Sequence, residues 1–191
     1  MGVHQRKERE RTERHRLIVS AARKLAETEG WDAVTVRRLA EQIEYSQPVL
    51  YSHFRGKDEI VGAVALEGFA ELTVAIRSAV PSKAAGRAAV AALADAYLDF
   101  AERHPAVYEA MFSLSNGLPF ADVATPEPLR EGFAALRDTL SEVADTADPD
   151  VFTEVGWAAL HGLATLTRAG RLPPEHTPQR LGVLVDRLFG D

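Results

Sequence analysis

The chain has 191 residues, 46% of them hydrophobic, with no cysteine and a formal net charge of −6. That is apolar material enough for one large domain, or a small domain joined to a larger one. It excludes disulfides, thiol nucleophiles and cysteine-ligated zinc, and a cysteine-free chain fits a reducing cytoplasm.

The charge is unevenly spread. Residues 1–60 carry 12 Lys+Arg against 10 Asp+Glu, and residues 61–191 carry 10 against 18. The opening stretch MGVHQRKERERTERHR holds six basic and three acidic residues. It lacks the apolar run of a secretory signal. Residues 1–11 read as a basic arm. Phosphate attraction is local and screened over roughly 8–10 Å, so a basic end on an acidic body can hold a polyanion. The plainer reading of such a charge run is a solvated face.

Strand signals are nearly absent and helix punctuation recurs, so the expected class is all-α with about nine helices. The first helix is expected over about Thr12 to Glu29, with an apolar stripe of Leu17, Ile18, Ala21, Ala22 and Leu25 and with Gly30 at its C-terminal end. Thr35 caps a short second helix carrying Val36, Leu39, Ala40 and Ile43 inside. After Glu44-Tyr45, Ser46 caps a third, with Pro48 in its first turn, where no intrahelical amide bond is lost. Gly56 ends that helix, and a fourth follows over about Asp58 to Val80 with an acidic first turn. Pro81-Ser82 separates it from a fifth, which carries Val90, Leu93, Ala94, Tyr97, Phe100 and Ala101. Pro105 starts a sixth with Tyr108, Met111 and Phe112. Ser115 to Thr125 is the longest loop. Thr125-Pro126, Asp148-Pro149 and Thr177-Pro178 open the last three helices, and Gly170 closes the second of these. The longest nearly uncharged run, Val155 to Thr167, is too short to span a bilayer, so no membrane partner is expected.

Two short helices joined by a tight turn make a helix-turn-helix, whose second helix can lie in the DNA major groove. The stretch SQPVLYSHFRGK, residues 46–57, suits that role better than a core. Gln47 can pair bidentately with adenine, and Pro48 and Val49 offer apolar contact to a thymine methyl. Tyr51, Ser52 and His53 can donate to phosphates, and Lys57 adds a point charge.

Residues 16–60 resemble the DNA-binding domain of the TetR (tetracycline repressor) family of transcriptional regulators. The matching positions are Ala21-Ala22, Gly30-Trp31, Thr35, Leu39-Ala40, Ser46, Leu50-Tyr51, His53-Phe54 and Lys57. The resemblance implies base contacts by Arg37, Gln47, Pro48 and Val49. It implies phosphate contacts by Thr35, Tyr51, His53 and Lys57, and a core of Leu39, Ala40, Leu50 and Phe54. Two positions depart from the pattern. Glu44 stands where the family usually has glycine, and Tyr45 where it has a small aliphatic. A positive φ at Glu44 would cost on the order of 1 kcal/mol. Val49 stands where the family often has Thr, so the operator cannot be assumed to match a known one.

In the C-terminal region, Trp157, His161 and Gly162 are spaced W-x-x-x-H-G, which resembles a TetR C-terminal class named WHG for that pattern. The resemblance implies a helical domain that binds an effector and dimerises. The expected organisation is an arm over residues 1–11, a helix-turn-helix domain over 12–58, and an effector-binding and dimerisation domain over 59–191. Tyr97, Phe100, Tyr108, Met111, Phe112, Trp157 and His161 are the expected effector contacts. Phe120 and Phe133 belong to the same pool of large residues, most of which must be core. Trp157 and His161 lie one turn apart, and they read either as a pocket wall or as a buried pair with a satisfied imidazole. Ala158, Gly162 and Thr165 form a small-residue stripe that would admit another helix. Leu181, Leu184, Val185 and Leu188, flanked by Arg180 and Arg187, form an ordinary amphipathic stripe on the last helix.

No G-x-S-x-G, phosphate loop or H-E-x-x-H is present, and no two histidines sit at metal-ligand spacing, so neither enzyme chemistry nor a cofactor is implied. A helical adaptor that has lost DNA binding is the other alternative. The polar, basic content of residues 46–57 argues against it. The function implied is a cytoplasmic, ligand-responsive regulator, a repressor, acting as a homodimer on a pseudo-palindromic duplex operator.

Overall fold

A computed structural model describes residues 3–81 and 84–188. Residues 1–2 of the arm, Ser82 of the Pro81-Ser82 break and the side chain of Leu188 lie outside the described residues. Among the described residues the chain has nine α-helices, joined by turns, loops and three short 3₁₀ segments, and no strand. The helices are α1 (Val3–Glu29), α2 (Val36–Gln42), α3 (Gln47–Tyr51), α4 (Lys57–Ala79), α5 (Gly86–Arg103), α6 (Pro105–Phe112), α7 (Glu127–Leu140), α8 (Pro149–Arg168) and α9 (Thr177–Leu188).

They form two compact units. The first comprises residues 1–68 and 106–122, and the second residues 69–105 and 123–191. Helix α4 contributes its first half to one and its second half to the other.

In the first unit, α1 starts at Val3, well before the expected Thr12. Nothing in the arm breaks a helix. Its charges also pair one turn apart, Arg6 with Glu10 at 2.9 Å and Arg14 with the same carboxylate at 3.5 Å, while the Thr12 hydroxyl donates to the Glu8 carbonyl. Exposed pairs of this kind are each worth only about 0.3–0.5 kcal/mol, but they favour continuing a helix already nucleated by the buried stripe. That stripe is Ile18, Val19, Ala22, Leu25 and Ala26; Leu17, expected in it, is 44% exposed. Gly30 turns the chain at φ 81, on the side of the backbone map that side chains avoid, and its amide closes α1 on the Ala26 carbonyl. Trp31 is then buried, and its indole N–H donates to the Ala106 carbonyl at 2.8 Å.

That bond ties α6 into the first unit. The Glu27 carboxylate accepts from the amides of Ala106 and Val107, at 3.1 and 3.2 Å, and so satisfies the open N-terminus of α6. Helix α4 meets α6 closely at Gly68, where a Cβ would stand 2.4 Å from Val107 Cγ1 and 2.7 Å from Met111 Sδ. Only a glycine fits there. The loop after α6 is held by Asn116, whose amide donates to the Ala110 carbonyl while its oxygen accepts from the Leu118 amide.

In the second unit α5 packs against α7, α8 and α9, and α7 also packs on α8. Tyr97, Leu93, Leu140 and Leu160 are fully buried at its centre. Asp148 caps α8 as its sequence requires, accepting from the amides of Asp150 and Val151. Gly132 of α7 lies in ordinary contact distance of Thr73 and Phe69 of α4. Phe120, from the pool of large residues, is 44% exposed in the connecting loop rather than in a core.

Candidate nucleic-acid interface

Helices α2 and α3 supply the site. Thr35 adopts an extended conformation and its Oγ1 accepts from the Arg38 amide, which starts α2. Leu39 and Ala40 turn inward and are buried. The turn that follows places Glu44 at φ 59, so the left-handed position that usually takes glycine is occupied here by a charged residue. The Tyr45 amide closes that turn on the Ala40 carbonyl at 3.0 Å.

Helix α3 is only Gln47–Tyr51, shorter than the expected span to Gly56. Ser46 precedes it without a side-chain capping bond, because the Pro48 nitrogen carries no hydrogen and the Val49 and Leu50 amides close on the Ser46 carbonyl. The helix is fixed from beneath by Leu50 and Phe54, 1% and 5% exposed. This anchoring leaves Gln47, Pro48, Tyr51 and Ser52 exposed and Val49 and His53 half-buried. Tyr51 is 54% exposed, so its ring and hydroxyl are both open to a partner.

The other expected contacts are already engaged in the free protein. Arg37 is exposed and pairs with Glu41 at 2.9 Å, which raises its pKa, so a base or phosphate must compete with that carboxylate. The Ser52 hydroxyl donates to the Val49 carbonyl at 2.6 Å. Half-buried Lys57 donates from Nζ to the Trp31 carbonyl, which holds the first turn of α4 to the end of α1. Two of its three ammonium hydrogens stay available. Thr35 uses its oxygen as acceptor and keeps its own proton to donate.

The residues expected to contact an effector are divided between the two units. Tyr108, Met111 and Phe112 lie in the first, where Tyr108 and Met111 are buried and the Tyr108 and Phe112 rings sit 4.8 Å apart. Tyr97, Phe100, Trp157 and His161 lie in the second. There the Trp157 indole donates to the Tyr97 hydroxyl at 3.1 Å, and His161 is 3.4 Å from the Thr165 hydroxyl, with burial pushing its pKa down. Tyr97 and Phe100 are buried, while Trp157 and His161 are half-buried. A separate cleft of about 240 Å³ in this unit is lined by Ile76, Val80, Ala89, Ala135 and Thr139 with Arg77, Asp138 and Glu142 at its polar rim, and none of the expected effector residues lines it. No cluster of metal ligands occurs among the described residues, and no helix there is long and apolar enough to cross a membrane.

Sequence reasoning missed what lies beside α3. The His15 ring of α1 stacks on Phe54 with centroids 4.6 Å apart and meets His53 edge-on at 6.5 Å. The available signal was period: Arg11, His15, Ile18 and Ala22 fall on one helical face once the helix is extended into the arm.

Residues 18–64 match the family described as bacterial regulatory proteins, tetR family, and residues 90–189 match the tetracyclin repressor-like C-terminal domain. The chain belongs to the TetR family. It is 34% identical over 95 residues to the HTH-type transcriptional regulator YobS of Bacillus subtilis, a match covering 50% of this chain and 49% of that protein. It is 29% identical over 159 residues to the HTH-type transcriptional regulator Rv0681 of Mycobacterium tuberculosis, covering 80% of this chain and 69% of the relative. A solved structure of a protein with unknown function from Rhodococcus sp. RHA1 superposes with a TM-score of 0.73 at 28% identity, over 91% of this chain and 92% of the other. This TetR-family chain is therefore a transcriptional regulator with a helix-turn-helix and not an enzyme, and its helical architecture is the one its sequence implied.

Proposed function

We propose that this TetR-family regulator is a cytoplasmic, ligand-responsive repressor that binds a pseudo-palindromic operator as a homodimer and leaves it when a small molecule binds. The observation that carries the DNA reading is the exposed polar face of α3. Gln47, Pro48, Tyr51 and Ser52 stand out from a helix fixed by buried Leu50 and Phe54, so the side chains that read base edges need no rearrangement of the core. Gln47, Pro48, Val49 and Arg37 take the bases. Thr35, Ser46, Tyr51, Ser52, His53 and Lys57 take the phosphates.

The dimer reading is supported by α8. Val151, Val155, Ala158, Gly162 and Leu166 recur every three to four residues, and Val151, Val155 and Leu166 are 56%, 55% and 45% exposed. An apolar stripe left open on a helix is a surface that a second copy would cover. Two copies would present their α3 helices to half-sites about 34–36 Å apart, one turn of duplex.

Within the second unit, the effector would contact the half-buried Trp157 and His161 and the buried Tyr97 and Phe100. It would act through α4, whose first half belongs to one compact unit and whose second half belongs to the other. The narrower WHG class rests on Trp157, His161 and Gly162.

Selection of bound duplexes from a random pool tests the reading. An enriched inverted repeat is expected, and its absence from retained DNA would sink the claim of a sequence-specific dimer. With the operator in hand, isothermal titration of effectors must show different affinities with and without DNA, because coupling between two sites is reciprocal.

A further inference from the structure

We propose that Arg11, Arg14, His15 and His53 form one phosphate-binding site beside the recognition helix, and that the site takes up protons as it closes on a backbone phosphate. The inference rests on the DNA-binding reading above and adds three residues of α1 to it.

The geometry is a cation cluster built on an aromatic floor. Phe54, buried, anchors the end of the α3 turn, and His15 lies against it at 4.6 Å with its ring tilted by 35°. His53 meets the His15 ring edge-on at 6.5 Å. Arg11 is one turn before His15 on the same face of α1, is exposed, and makes no ion pair among the described residues. Arg14 is half-buried and holds Glu10 only at 3.5 Å, a carboxylate whose closer partner is Arg6 at 2.9 Å.

Charge completes the case. The groups that act electrostatically on the two rings are Arg11 on both, and Arg14 and His15 on His53. Among the described residues no carboxylate acts on either ring, from α1 or from the segment around Phe54. Partial desolvation first, for the exposed His15 where its ring lies on Phe54, and these neighbouring cations second, hold both imidazoles below their ordinary range. The free protein therefore disfavours the charged form of both imidazoles, which stand near two guanidinium groups. A phosphate diester supplies a permanent negative charge and accepts hydrogen bonds, and both effects favour the protonated imidazole. The bound state then holds its protons at higher pH than the free state, so affinity rises as pH falls through that interval.

The test is fluorescence anisotropy of the full chain on a labelled random-sequence duplex at constant low ionic strength, between about pH 8 and pH 5.5, the range in which imidazoles titrate. Wild-type affinity should rise toward acid, by up to about tenfold for each imidazole whose pKa rises one unit on binding. His15→Gln and His53→Gln should each flatten the profile. Arg11→Gln should lower affinity at every pH, and His176→Gln in the second unit should leave the profile as it is. A duplex bound with no pH dependence, or with one that survives in both ring variants, overturns the proton-linked site and leaves DNA binding standing. No binding at any pH overturns both. A second measurement needs no substitution: the imidazole resonances of His15 and His53 in the wild-type protein should titrate at higher pH with duplex than without, and equal titrations would refute the site.

Discussion

Glu27 gives the sharpest test of how the first unit is held together. Its carboxylate is half-buried and accepts from the amides of Ala106 and Val107 at 3.1 and 3.2 Å, across 79 and 80 residues of sequence. Bonds to a charged acceptor are worth about 1.5–3 kcal/mol each when well made. These two are near the long end of the range and partly open to water, which would hydrate the amides once the carboxylate is gone. The expected cost of Glu27→Ala is therefore about 2 kcal/mol for the pair, including loss of the favourable interaction with the α6 dipole. In a chain of this size that lowers the melting temperature by about 4–8 °C if the molecule melts as one. Glu27→Gln keeps one acceptor oxygen without the charge and should cost about half as much. Thermal and urea unfolding followed by circular dichroism measure both. A Glu27→Ala variant within about 0.5 kcal/mol of wild type would place it with ordinary surface substitutions and refute the idea that this carboxylate fastens α6.

Four further outcomes are expected. Glu44→Gly removes the cost of a left-handed side chain, about 1 kcal/mol, against a comparable gain in unfolded-chain entropy, so stability should change little, whereas Glu44→Val should cost about 2 kcal/mol by the same melts. Gln47→Ala should weaken the selected operator by about 1–3 kcal/mol and scrambled DNA far less. Lys57→Ala should weaken both alike, and it should also lower the melting temperature because it releases the Trp31 carbonyl; equal losses on the two duplexes for Gln47→Ala would defeat its base-reading role. Val155→Asp should convert the proposed dimer to monomer in light scattering, since it sets a charge in the middle of the open α8 stripe. His15, His53 and His161 have folded-state pKa values below their ordinary ones, so the unfolded chain binds protons more readily. Stability from these groups is present above about pH 6.5 and lost as pH falls through that value, which melts at successive pH values would show.

Much of the helix-turn-helix was legible because its determinants are local. The Thr35 and Asp148 caps act on amides two or three residues away, and both form as the sequence implied. Glycine is the ordinary occupant of the turn before α3, so a glutamate at that position signals a strained, left-handed residue, and the φ of Glu44 is 59. Leu39, Ala40, Leu50 and Phe54, the core that the family resemblance implies, are buried. The arm reads as separate from α1 because its residues are charged, yet α1 runs on into it, since charged residues one turn apart support a helix once a buried stripe has nucleated it.

The sequence by itself determined the helical class, the order of the helices, the helix-turn-helix and the family. All of these follow from period, caps and motif spacing, interactions that span a few residues. Only the tertiary structure decided which elements share a core. It placed α6 with the DNA-binding helices through Trp31, Glu27 and Gly68, and it set His15 against Phe54 and His53. It also turned Leu17 toward solvent and Tyr97 inward. Such pairings join residues tens of positions apart. Their energies depend on shape and burial in the assembled core, and no local pattern in the chain encodes either quantity.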